Sequence, residues 1–205
     1  MDKASARRKG SQGNTVALDM HALGTLKYIR ASIDAAGVLG VPGSAGIAMG
    51  SVGLLAAVLA ADPRLAADWL AIWLGAGATA LVCGSTLLIH QALRSRTALY
   101  RGPVRKFLLC LVPSLFAGAV ITLALWRGHA VQMLPGTWLL LYGCGVVAAS
   151  TMTVRPVGIM GALFLLLGVA ALLVPARFAD LLLGAGFGGL HLAFGIVIGR
   201  SEHEH

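Results

Sequence analysis

Acidic side chains are scarce in this sequence: 8 Asp and Glu stand against 16 Lys and Arg in 205 residues. Charged residues of both signs make up only 12%. Soluble chains run near one quarter charged, so a water-soluble globular domain is excluded, and the mean hydropathy of +0.83 agrees. No Asp or Glu falls inside the long apolar runs delimited below, which removes the carboxylate that an intramembrane proton relay would use. Cysteine is equally sparse. Cys83, Cys110 and Cys144 all lie in apolar runs, form no CxxC pair and set up no disulfide framework. The chain also has no P-loop, no HExxH and no dinucleotide-binding glycine fingerprint in a strand–turn–helix setting. No cofactor and no metal are expected.

What the sequence has instead is length of apolar chain. About 20 apolar residues cross the ~30 Å hydrocarbon core at 1.5 Å per residue. Runs of that kind cover 41–61, 69–93, 107–126, 133–152, 157–174 and 181–200. They predict an all-α, polytopic six-helix transmembrane bundle over 41–200 with no second domain. Trp69 and Trp73 are placed as interface anchors, and Pro113 should kink the third span.

Ahead of the bundle, residues 1–17 form a basic polar tail without periodicity, read as disordered. Over 18–40, Leu23, Leu26, Ile29, Ile33 and Ala36 recur at helical spacing, with Lys27, Arg30 and Asp34 on the other side. This predicts an amphipathic interfacial helix, too polar to cross the membrane. Residues 201–205 are a short tail. Its His203 and His205 alternate with Glu202 and Glu204, which reads as a solvated end, since a flexible tail lacks the fixed geometry of a metal site.

Cytoplasmic segments of membrane proteins carry the excess of Lys and Arg. With the N-terminus cytoplasmic, only Arg64, Arg127 and Arg177 of the 16 basic residues fall outside. Both termini are then cytoplasmic, as are the tail 201–205 and the basic loop before the third span. The same distribution explains the pI of 10.1 without nucleic acid. The expected partner is the lipid bilayer, with another membrane protein or a second copy of the chain as further candidates.

The sixth run carries the candidate site. Gly184, Gly188, His191, Gly195 and Gly199 fall within one helical arc of roughly 80°. Gly43, Gly46, Gly50 and Gly53 mark a second smooth face on the first run. Membrane helices associate by packing rather than by hydrophobic force, so these eight glycines are read as helix-packing positions. His191 should point into the bundle near the bilayer middle, against the first span. A histidine at that depth is either a functional site or a hydrogen-bonded link between helices, and the missing carboxylate favours the link. His90, near the cytoplasmic end of the second run, reads as an interface residue.

Two weaker patterns remain. Pro42-Gly43-Ser44 with Gly50 matches Pro135-Gly136-Thr137 with Gly143, the first and fourth runs crossing in opposite directions as in inverted-repeat transporters. Gly143-Cys144-Gly145 on the fourth run and His191 on the sixth faintly resemble the rhomboid protease arrangement. The departures are serious: rhomboids use serine, and the His and Asn of their second helix have no match here.

Tyr28-Ile-Arg-Ala-Ser-Ile-Asp-Ala-Ala-Gly37, Val41-Pro-Gly, Gly102-Pro-Val-Arg-Lys106, Leu134-Pro-Gly-Thr-Trp-Leu-Leu-Leu-Tyr-Gly143 and Gly186-Phe-Gly-Gly-Leu-His191 together resemble a family of bacterial multi-pass inner-membrane proteins, over almost the whole chain from about residue 18. The resemblance implies the bacterial cytoplasmic membrane and no established activity. The function expected is that of a membrane-embedded helper, sensor or regulatory component without catalytic machinery. A small transporter or channel-like protein built on the weak repeat is the alternative. An intramembrane hydrolase using Cys144 and His191 is the remote one.

Overall fold

Proline punctuates the chain. All but Pro113 of the 7 prolines stand within one residue of the start of a helical segment, where a missing N–H costs nothing and the fixed φ suits the first turn. The computed structural model describes residues 41–94, 103–151 and 153–203. The expected tail 1–17, amphipathic helix 18–40 and most of the basic loop lie outside the described residues.

Among the described residues the chain is helical and without strands. Helix α1 spans Gly43–Ala60, α2 Trp69–Arg94, α3 Pro103–Arg127, α4 Leu134–Ser150 and α5 Arg155–Leu173. The last rod, α6, runs through Ala179–Leu183, a wider π-helical turn Gly184–Leu190, and His191–His203. Short 3-10 turns at Pro63–Asp68, Val131–Met133 and Ala176–Phe178 lead into α2, α4 and α6. Asp62 caps the first of these by accepting the Arg64 N–H at 2.9 Å. Six helices are long and apolar enough to cross a membrane, and the chain is built as a multi-pass membrane protein.

Two helix starts differ from the sequence expectation. Helix α3 begins at Pro103, so Arg105 and Lys106 belong to its first turn, and it continues through Pro113. Helix α6 begins at Ala179, which brings Asp180 inside a span. The expectation that no carboxylate lies in any span is therefore wrong at Asp180 and at Asp68, just ahead of α2, because an Asp at a helix start suits the positive end of the helix and looks like part of the preceding turn. The π-helical turn was not anticipated either, since a fixed advance of 100° per residue cannot represent it.

The helices pack through missing side chains. A Cβ on Gly43 would stand 2.5 Å from the Gly195 carbonyl oxygen and from the Gly199 nitrogen. On Gly46 it would meet the Gly195 Cα at 2.8 Å, and on Gly50 the Leu192 nitrogen at 2.7 Å. Seen from α6, a Cβ on Gly188 would meet Leu54, one on Gly195 the Ile47 nitrogen, and one on Gly184 the Ala57 Cβ. Thus α1 and α6 touch backbone to backbone, the close approach that small residues permit in membranes.

A second such pair joins α4 to α5. A Cβ on Gly136 would lie 3.0 Å from the Gly168 carbonyl oxygen, on Gly143 3.0 Å from the Leu165 nitrogen, and on Gly168 2.8 Å from the Leu140 nitrogen. Gly43 and Gly136, equivalent in the sequence repeat, therefore meet α6 in one case and α5 in the other. An exchange of the two halves would carry α6 onto α3, so the glycine contacts do not follow the repeat.

Helices α2 and α3 form the outer flanks: 6% of each span is buried, against 44% of the α4 span. The fully enclosed side chains lie where α4, α5 and α6 meet, with Leu139, Phe164 and Leu183 at their centre.

Candidate functional site

Four glycines between 184 and 189 leave the π-helical turn of α6 with only Phe187 and Leu190 as bulky side chains on its wider coil. His191 follows it directly. Its backbone N–H bonds to the Gly188 carbonyl rather than to Phe187, the partner a regular α-helix would provide. The Phe187 carbonyl instead lies 3.1 Å from Nδ1 of the His191 ring. A carbonyl can only accept, so Nδ1 carries the proton in this bond. Nε2 then accepts the Tyr142 O–H at 2.7 Å. Both ring nitrogens are committed.

Aromatic rings close over the pair. Tyr142 meets Phe164 and Phe187 edge-on, with centroids 4.8 and 5.4 Å apart, and Phe164 lies edge-on to the imidazole at 5.3 Å. These are favourable quadrupole arrangements. His191 is only 3% exposed. Among the described residues no buried side-chain nitrogen or oxygen lacks a partner, as a low-dielectric interior demands.

His191 does point into the bundle, as its glycine arc suggested. The imidazole, however, faces Tyr142 on α4 and Phe164 on α5 rather than α1. Its neighbours on the arc, Gly188 and Gly195, are the positions that meet α1. Tyr142 escaped the sequence reading: within Leu-Leu-Leu-Tyr-Gly nothing separates a buried tyrosine from an interfacial one. Its adjacency to Gly143, in contact with α5, was the only available signal.

Cys144 and His191 are not brought together. Cys144 is exposed and unpaired, and it follows Tyr142 by two positions, about 200° around the helix. His90 lies exposed near the far end of α2. Among the described residues no cluster of His, Cys, Asp and Glu could hold a metal ion.

A second polar cluster joins the starts of α2, α4 and α6. Oδ1 of Asp180 accepts the indole N–H of Trp69 at 2.6 Å and that of Trp73 at 3.1 Å. The Trp69 ring lies parallel to Trp138, with 5.9 Å between centroids and 3° between planes. Trp138 donates in turn to the Thr122 hydroxyl at 2.8 Å, whose own proton goes to the Gly118 carbonyl. Trp73 is 5% exposed. The expected interface anchors Trp69 and Trp73 are thus turned inward onto a carboxylate, because a buried indole N–H needs an acceptor.

In comparison with known proteins, no family model matches the chain, and no curated protein or solved structure is significantly similar to it.

Proposed function

We infer that the protein is a membrane-embedded helper, sensor or regulatory component without catalytic machinery, in which the contact of α6 with α4 through His191 and Tyr142 is the working joint. The observation that supports this reading is the engagement of both imidazole nitrogens. A general base needs a lone pair facing its substrate, and a metal ligand needs one facing the ion. Here Nε2 faces Tyr142 and Nδ1 faces the Phe187 carbonyl. A polar link between two helices, adjacent to an irregular helical turn, fits a joint that transmits or holds a conformation.

The placement that goes with this reading is the bacterial cytoplasmic membrane with both termini cytoplasmic. The orientation rests on the distribution of Lys and Arg, and the bacterial membrane on the family resemblance. Its partners would be the bilayer and another membrane protein or a second copy of the chain, and no nucleic acid.

Co-purification in mild detergent of the wild type and of His191→Gln tests the function. Gln retains a donor and an acceptor, so the variant should unfold at nearly the wild-type temperature while losing a membrane partner that the wild type retains. Retention of the same partners by a normally folded His191→Gln would remove His191 from the function. Solute flux in proteoliposomes that depends on His191 would replace the reading with transport.

A further inference from the structure

Asp180 places a carboxylate within the first turn of a membrane-spanning helix. Among the described residues the Trp69 and Trp73 indoles are its partners, and no Lys or Arg pairs with it. Two neutral donors satisfy the geometry of one oxygen but leave the charge unbalanced. Arg177, the nearest cation in sequence, stands over the Phe178 ring at 4.9 Å instead.

The surrounding surface is aromatic. The N–H edges of Trp69 and Trp73 are turned onto Asp180 and that of Trp138 onto Thr122; the Trp73 ring is buried, whereas Trp69 and Trp138 keep part of their surface exposed. Trp69 and Trp138 lie stacked in nearly parallel planes, and Trp69 and Trp73 both donate to the one carboxylate. Asp180, Trp69 and Trp138 are each half-buried. Each of the three is thus partly screened from bulk water and keeps part of its surface accessible.

We propose that Asp180 with the partly exposed rings of Trp69 and Trp138, and with buried Trp73 holding the carboxylate, forms a recognition site for an alkylammonium group at the membrane face that carries the α1–α2 and α5–α6 turns. Ring faces attract cations through their quadrupole, most strongly for Trp, and quaternary ammonium recognition is the common use of that force. The carboxylate supplies the Coulomb attraction, which partial burial strengthens. An inorganic divalent ion is a poor fit, because calcium and magnesium require several oxygen ligands and among the described residues no three His, Cys, Asp or Glu side chains gather here. An anion is repelled by the same group. The depth also suits: Trp belongs to the headgroup belt, where ammonium groups of lipids and of dissolved organic cations are both available.

A purely structural Asp180 would tie α6 to α2 and complement the α6 dipole. The substitution Asp180→Asn separates the two roles, since the amide oxygen still accepts both indoles while the charge is gone. The experiment titrates tetramethylammonium chloride into the full-length protein in maltoside detergent and follows tryptophan fluorescence, with sodium chloride as the ionic-strength control. The wild type should show a saturable change absent with sodium, and Asp180→Asn should bind about ten-fold more weakly or worse. Trp69→Phe, which keeps a ring but weakens the face and removes one donor, should bind several-fold more weakly; it carries the test if Asp180→Asn fails to fold.

Nanodiscs separate the two sources of the ammonium group. If phosphatidylethanolamine occupies the site, the tetramethylammonium response present in pure phosphatidylglycerol discs disappears in mixed discs. If a dissolved cation is the ligand, the response is equal in both. A wild-type response no larger than that to sodium, or wild-type affinity in a folded Asp180→Asn or Trp69→Phe, overturns the proposal.

Discussion

A Cβ placed on Gly53 would stand 2.5 Å from the carbonyl oxygen of Phe187, the same oxygen that faces Nδ1 of His191. The α1–α6 contact and the His191 site therefore share one atom. Gly53→Ala should displace that carbonyl, loosening both the helix contact and the imidazole bond. Overpacking of this kind costs about 1–3 kcal/mol, to be read from unfolding in detergent. Gly75→Ala is the control, because nothing lies within 4 Å of its Cβ position. It should be neutral or slightly stabilising, since Ala is the better helix former. Equal stability for the two variants would show that α1 and α6 do not meet through Gly53.

The Tyr142–His191 bond is open to a double-mutant cycle. Tyr142→Phe removes the donor and leaves Nε2 with no partner in an enclosed site, and His191→Leu removes the acceptor, which Gln would retain. Interhelical hydrogen bonds in membranes contribute modestly, so a coupling of about 0.6–1.7 kcal/mol is expected. Strict additivity of the two substitutions would mean that the pair does not interact.

These two contacts mark the limit of what the sequence discloses. The six spans were legible because bilayer thickness fixes a long apolar run. The α1 and α6 glycine faces were legible because glycine at helical spacing is rare without a neighbour to admit. The direction of the imidazole was not, since His191 sits at the exit of a π-helical turn and the helical wheel assumes one constant advance. Nor was the Trp69–Trp73–Asp180 cluster. Two tryptophans four positions apart and an aspartate more than 100 positions away read singly as belt anchors and a turn, and only tertiary packing brings both indoles to one carboxylate oxygen.

His129 offers a test of local backbone. It follows α3 with φ at 54°, and the next N–H, that of Ala130, reaches back to the Leu125 carbonyl at 2.9 Å. This is the helix end that glycine usually occupies. A side chain in the left-handed region costs about 1–2 kcal/mol, so His129→Gly should raise stability by up to about 1 kcal/mol after the unfolded chain's added freedom is counted. A drop in the unfolding temperature would contradict the left-handed assignment.

Orientation can be tested independently of packing. Asp62, Gly128 and Arg177 lie in the turns after α1, α3 and α5, whereas Arg96 lies between α2 and α3 in the sequence. Alternate turns of a six-span chain face opposite sides, and the richer supply of Lys and Arg belongs to the cytoplasm. Reporter fusions after Asp62, Gly128 and Arg177 should therefore read external, and a fusion after Arg96 cytoplasmic. Single cysteines at Lys27 and Arg30 supply a second readout for the segment ahead of α1. They should react with an impermeant reagent only in opened cells, as an interfacial helix on the cytoplasmic side requires. An external signal at Arg96 would invert the bundle, carrying the Asp180 cluster to the cytoplasmic face. Labelling of position 27 from outside intact cells, with Arg96 still cytoplasmic, would require another crossing ahead of α1.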